Sequence, residues 1–414
     1  MITPAYSATA TERVLPRMAL DFTTASLDSR VTVARALNTA TAINSSGFIA
    51  VVNANLPRFD FDPVTLACKG LLIEESRANA FTYSQDFGNA AWTPTILDVS
   101  TDAATSPDGT TDADKLIPTT ANGVHGTKQS AALSNGVAYT MSGFFKADGY
   151  RRVMMRESTA FGYAAVFDLI SGTVVATTDA TGTITNFGNG WYRCEMRFTS
   201  GWTNTSDMYI FVLPDNGTGY GSATFSGDGT SGVLAYGAQF EAGAFATSYI
   251  PTTTTSVTRN RDIVTMTGTN FSDWFNGSQG AFIGWFTTFA STGIRYIAAA
   301  SASGAIADSL LMSVINAETD SYVNSGGVQQ ARLLTGTIAA NVPAKLGLRY
   351  ANANFAVAAN GGGLVTQLSG SLPVGINQLN IGALSNTGFQ LNGHMAKFFW
   401  YTSLTNAELV AFTK

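Results

Sequence analysis

Trp191-Tyr192-Arg193-Cys194-Glu195-Met196-Arg197-Phe198 reads as a β-strand with one buried and one wet face. Side chains alternate across a strand, so Tyr192, Cys194, Met196 and Phe198 share one side, and Arg193, Glu195 and Arg197 the other. Just before it stands Gly188-Asn189-Gly190, and Asn-Gly or Asp-Gly is the strongest short hairpin signal because both turn residues tolerate positive φ. Ten such pairs begin at 108, 122, 135, 148, 189, 216, 228, 276, 360 and 392. All lie beyond residue 100, and from there on antiparallel β-structure is expected.

Other segments agree. Leu234, Tyr236, Ala238 and Phe240 are expected on one inward face, as are Leu346, Leu348 and Tyr350. Tyr209 to Leu213 is a continuous apolar run, suited to a strand covered on both faces. Helical periodicity is scarce; Thr405-Asn-Ala-Glu-Leu-Val-Ala-Phe412 predicts one short helix capped by Thr405. At 414 residues the chain exceeds one hydrophobic core, so two or three units are expected.

Charged residues make up 12% of the chain, about half the usual ~25%. Solubility must come from hydroxyls and amides. The net charge of −5, without a basic stripe, argues against nucleic-acid binding, which needs clustered Lys and Arg. No run reaches the ~18 apolar residues of a membrane helix, and no signal peptide is visible. Synthesis and retention in the cytosol are therefore expected unless something else exports the chain. Cys68 and Cys194 are too few for a disulfide scaffold, and Cys194 is expected to be a buried thiol.

Two phrases bracket the middle of the chain: Gly70-Leu-Leu-Ile-Glu-Glu-Ser-Arg-Ala-Asn79 and Tyr236-Gly-Ala-Gln-Phe-Glu-Ala-Gly-Ala-Phe-Ala-Thr-Ser-Tyr-Ile-Pro251. Together with Pro107 to Leu116, Gly188 to Cys194 and Gly227 to Gly232, they resemble tailed-phage and prophage virion proteins that carry a carbohydrate-binding-module-like β-sandwich. From Gly280 to Leu409, a looser likeness to concanavalin-A/laminin-G-like jelly rolls follows. The resemblance implies an all-β chain: an N-terminal anchor or collar over 1–69, a sandwich over 70–258 and a second jelly roll over 262–414. The Thr252–Thr258 tract between them reads as an uncharged extended linker.

The same resemblance implies a virion component made in the host cytoplasm and released by lysis, docked on capsid, portal or tail proteins, with a homotrimer as the expected assembly. Three roles stay open: a non-catalytic adhesin for host surface polysaccharide, a purely structural decoration protein, and a depolymerase. Sandwiches host all three. Catalysis has little to stand on, since His125 and His394 lack any nucleophile or zincin motif, and Glu74 and Glu75, being adjacent, point to opposite sides of a strand.

Sugars are held by aromatic faces beside neutral hydrogen-bonding groups. Trp92, Trp202, Tyr220 and Trp274 sit in polar or glycine-rich contexts and are the candidate glycan platforms, whereas Trp191, Trp285 and Trp400 lie in apolar strands and are expected to be buried. No cofactor is expected. A structural Ca²⁺ is the one ion the jelly-roll likeness implies, with Asp108 and Asp228 as its candidate ligands.

Overall fold

A computed structural model describes residues 14–37, 39–158, 162–290, 292–384 and 389–414. The chain is all-β: its named strands form antiparallel sheets, and the two α-helices, Thr269–Ser272 and Asn406–Phe412, are short. Thr405 caps the second helix in a capping box with Glu408, as its sequence predicts.

Four sheets build two sandwiches. In the middle of the chain a near sheet runs Thr181–Asn186, Tyr192–Thr199, Ala138–Asp148, Gly232–Ala242, Thr111–Pro118, Leu97–Thr105 in spatial order. Behind it, a far sheet runs Thr173–Thr178, Ala164–Asp168, Arg152–Glu157, Asn204–Leu213, Asn122–Leu133, Thr224–Ser226. Met141, Met155, Cys194, Met196, Ile210 and Phe240 fill the space between them. Tyr209 to Leu213 is covered on both sides as expected, Ile210 and Val212 facing this core and Phe211 and Leu213 a second apolar cluster outside it.

The other sandwich packs Phe282, Leu346, Leu348, Tyr350, Leu379 and Phe398 between its sheets. Its near sheet centres on Ala344–Ala351, Gln279–Thr288 and Gly393–Tyr401; its far sheet includes Ile263–Thr267, Gln378–Ile381 and Ile294–Ser301. Here the structure departs from the expected order of an anchor followed by two sandwiches. Met18–Asp21 pairs along Gly393–Tyr401, with Met18 opposite Trp400 and Asp21 opposite Lys397. Cys68–Ile73 continues on the same strand, with Ile73 opposite Gly393. In the far sheet, Thr32–Ala34 pairs with Ile263–Thr267. Met18, Leu20, Phe22, Val33 and Leu71 are core residues of this sandwich. Within residues 14–69, Met18–Asp21 and Thr32–Ala34 find partners hundreds of residues away, where no tight turn is needed, whereas Ala40–Ile43 pairs locally with Ile49–Val52 and Phe59–Phe61 with Cys68–Ile73.

The middle sandwich is therefore an insertion, entered and left through a two-strand neck in which Arg77–Asn79 pairs with Val257–Arg259. The first bracketing phrase supplies the strand Arg77–Asn79, and the second runs on past Pro251 through Thr252 to Arg259 to supply the other. Arg58 and Arg259 flank Glu74 at 2.7 and 3.0 Å, Arg35 reaches Asp262 at 3.0 Å, and Arg58 also contacts Asp262. Ser248 donates its backbone N–H and its hydroxyl to Glu74. Every charged side chain in the cluster is at most 2% exposed; such a set holds only because each charge lies against one of opposite sign, three arginines sharing two carboxylates. Nor is the Thr252–Thr258 tract a free linker. Thr252 is buried and donates its hydroxyl to the Phe81 carbonyl at 2.7 Å, and only the stretch from Thr253 to Ser256 is wholly exposed.

One face assignment also changes. Ala238 and Phe240 enter the core, but Leu234 and Tyr236 point outward against Ile49, Phe144 and Tyr249. Between them Gly237 sits at φ +61°, where the pairing with Ala138–Asp148 slips register. Such a bulge swaps the faces of the residues on either side, and a Cβ at Gly237 would come within 3.2 Å of the Phe144 and Tyr249 rings.

Candidate functional site: the cleft between the sandwiches

The second face of the Trp191–Phe198 strand looks across at the other sandwich. Arg193, Glu195 and Arg197, with Thr183, Thr185 and Asn186 of the neighbouring strand, form one wall of a cleft of about 1060 Å³. The facing wall is the outer side of the other near sheet. Leu409 and Phe412 of the C-terminal helix cover one end of that side, over Ala281, Ile283 and Phe399. Trp285, Thr287, Lys345 and His394 line the uncovered end, with Asn341 and Asn360 beside them.

Each wall holds one side chain with unused bonding capacity. Arg193 donates to the Thr247 carbonyl at 2.6 Å and Arg197 to the Thr183 hydroxyl at 2.5 Å. Glu195, between them, is half-buried, and its carboxylate makes no hydrogen bond among the described residues. Burial raises its pKa by more than the two arginines lower it. Opposite, Trp285 is half-buried, with the Lys345 ammonium 4.1 Å and the Lys397 ammonium 5.3 Å from its ring centre. The three align because Lys345 and Lys397 are the register partners of Trp285. Among the described residues, its indole N–H has no hydrogen-bond partner. Deeper in, His394 bonds Asp60 at 2.8 Å. An aromatic ring, a carboxylate acceptor, fixed cations and exposed hydroxyl and amide groups thus converge on one space. Among the described residues no group of three His, Cys, Asp or Glu side chains is placed to hold a metal.

The four aromatic residues singled out from sequence lie elsewhere. Trp92 is buried among Phe81 and Phe87 and donates its N–H to the Tyr83 carbonyl at 3.0 Å. Trp274 is buried against Phe271 and Trp400, with its N–H on the Asn270 carbonyl at 2.9 Å. Both are core residues, a correction to their reading as platforms: their polar neighbours in sequence are turn residues, while the rings point inward. Trp202 packs partly buried at the edge of the inserted core near Tyr163. Tyr220 is 47% exposed on the far side of the inserted sandwich.

Asp108 accepts from the Ser106 hydroxyl, from Thr110 and from the Tyr236 hydroxyl. Asp228 accepts from Thr230 and Ser231. Both carboxylates tie their own turns. The residues that sequence reading missed are Trp285, hidden by its apolar neighbours, and Glu195, whose alternation was legible but whose facing partner was not.

No protein-family model and no curated protein matches the chain. Solved structures similar to it include the CBM40 module of the Ruminococcus gnavus IT-sialidase bound to alpha2,3 sialyllactose, at 17% identity and a TM-score of 0.29, covering 33% of this chain and 83% of that one. Domain 4 of AbnA, a GH43 extracellular arabinanase from Geobacillus stearothermophilus, in complex with arabinotriose, is similar at 12% identity and a TM-score of 0.30, covering 41% and 81%. The NanB sialidase from Streptococcus pneumoniae is similar at 11% and 0.31, with only 26% of its length covered. No residue role carries over from them.

Proposed function

We propose that the chain is a non-catalytic polysaccharide-binding protein of a phage virion, and that the cleft between its sandwiches holds the polysaccharide. The cleft is the observation that supports binding. It has the size of a ligand site, it offers an aromatic ring flanked by two lysine ammonium groups on one wall, and it offers hydroxyl, amide and carboxylate partners on the other. Glu195 accepts sugar hydroxyls, and the neutral groups at Thr185, Asn186, Asn341 and Asn360 bond further along the chain of sugars. A single-sign cleft would select a polyion; this one mixes signs, which suits a hydroxyl-rich polymer. The virion assignment rests on the resemblance of the bracketing phrases.

The purified chain on a glycan array of bacterial surface polysaccharides tests the binding half. Glu195→Gln removes a charge-assisted acceptor, worth roughly 1.5–3 kcal/mol, so affinity is expected to fall about ten- to a hundredfold, with a melting temperature at neutral pH that does not fall, since burial disfavours the ionised carboxylate. Thr185→Trp places an indole in the cleft from an exposed position, beside Arg193 and Glu195, and is expected to block cleft binding. Unchanged binding by both variants would overturn the cleft as the site. Detection of the chain in purified particles by mass spectrometry tests the virion half separately.

A further inference from the structure

Among the described residues Arg156 is the one arginine whose guanidinium makes neither hydrogen bond nor ion pair. It is half-buried on the outer face of the inserted far sheet. The guanidinium stacks on the Tyr220 ring with its carbon 4.2 Å from the ring centre. Stacking occupies one face of the planar group and leaves its N–H edge unused. That edge lies in a pocket of about 180 Å³.

Register explains how the pocket forms. Arg156 pairs with Ala164, and Ala164 with Thr178, so the three stand in one row across the sheet. Small side chains at Ala164 and Ala176 make the floor, and hydroxyls at Thr178 and Thr218 stand on the rim. Gly162, at φ +54°, lets the backbone approach the guanidinium; a Cβ there would come within 2.8 Å of its nitrogen. The loop carrying Tyr220 closes the remaining side. On the inserted sandwich this face is opposite the cleft, with the core between them.

We infer that this pocket is a second saccharide subsite that takes the carboxylate of an acidic sugar. An arginine fork half out of water and unpaired is matched by a planar carboxylate, which accepts two parallel N–H bonds. The volume is below that of a drug-sized site, so it admits one sugar ring or a terminal acidic group. Rim hydroxyls and the Tyr220 edge serve the ring's own hydroxyls and C–H face. The inference is independent of the cleft and holds whether or not a polymer lies there.

The test uses the full chain in the Thr185→Trp background, so that any cleft binding is removed. The probes are a hyaluronan-derived tetrasaccharide, which carries uronic acid carboxylates, and its carboxyl-reduced counterpart, with affinities read by calorimetry. Binding of the acidic form at least tenfold tighter than the reduced form is expected. Arg156→Met and Tyr220→Ala are each expected to abolish that preference at unchanged melting temperature. Arg156→Lys, which keeps the charge and loses the fork, is expected to weaken binding at least tenfold. Equal binding of the two probes, no binding of either, or a preference that survives Arg156→Met and Arg156→Lys would each overturn the subsite, and none of these outcomes bears on the cleft.

Discussion

At Glu74 two opposing effects meet. Burial alone would raise its carboxyl pKa, but Arg259, Arg58 and the hydrogen bonds from Ser248 win and hold it well below the ordinary 4.5. Its contribution to stability is therefore full above pH 4.5 and is lost as pH falls below that value. Asp114 has the opposite sign. It accepts the Phe87 and Asp102 backbone N–H groups, yet burial dominates and nearby Asp86 and Asp102 add to it, lifting its pKa from 3.8 to about 6. The folded state prefers the protonated acid, so stability from this group is full below 3.8 and lost as pH rises through 6. Glu195 and Asp112, raised mainly by burial, act in the same direction. A shift from 3.8 to about 6 corresponds to roughly 3 kcal/mol. Urea unfolding is thus expected to show a more stable protein at pH 5 than at pH 7, with loss setting in below pH 4.5. Asp114→Asn should reduce the gain between pH 7 and 5. A stability that already falls over that interval would show that Asp114 is ionised at little cost.

Elements were legible from sequence wherever their signal is local. The Trp191–Phe198 alternation, the two-sided run from Tyr209, the Leu346–Tyr350 face and the Thr405 cap all depend on neighbours within a few residues, and the structure places each as read. The Leu234–Phe240 strand was half right, because alternation cannot register a bulge at Gly237. Trp285 was misread for a related reason: Ala281 and Ile283, on its own face, are covered by a helix more than a hundred residues away, while Trp285 lies just past that cover. The candidate platforms Trp92 and Trp274 failed because polarity of the flanking sequence says where the backbone is, not where a large ring points. The neck shows the same limit. From composition Thr252–Thr258 is a linker whose cleavage would free a C-terminal unit; in the fold only Thr253 to Ser256 is open, and strands from the N-terminal side of the nick are paired beyond it. Proteinase K is therefore expected to nick the chain near 253–256, giving two bands in denaturing gels and one species in native size exclusion. Spontaneous separation of the fragments without denaturant would contradict the strand exchange.

For the whole molecule, that exchange decides what residues 14–73 do. The ion pair from Lys397 to Asp21, 2.7 Å long, joins residues 376 apart in sequence. Met18, Leu20 and Phe22 are each 1% exposed in the sandwich built by the chain's other end. Arg35 and Arg58, from the same segment, neutralise Glu74 and Asp262 at the neck. Deleting residues 1–69 would strip Lys397–Trp400 of its edge partner and remove the far-sheet strand Thr32–Ala34. It would also take both arginines from the neck, leaving Arg259 as the cluster's only cation. Breaking one buried ion pair costs about 3–5 kcal/mol, a large part of the ~5–15 kcal/mol that holds a domain folded; this deletion breaks several and exposes a hydrophobic strand edge besides. The truncated chain is expected to be insoluble or molten on expression. A soluble truncation with sharp thermal unfolding and native near-UV circular dichroism would show that the C-terminal sandwich closes without these strands, and that the segment is an appendage after all.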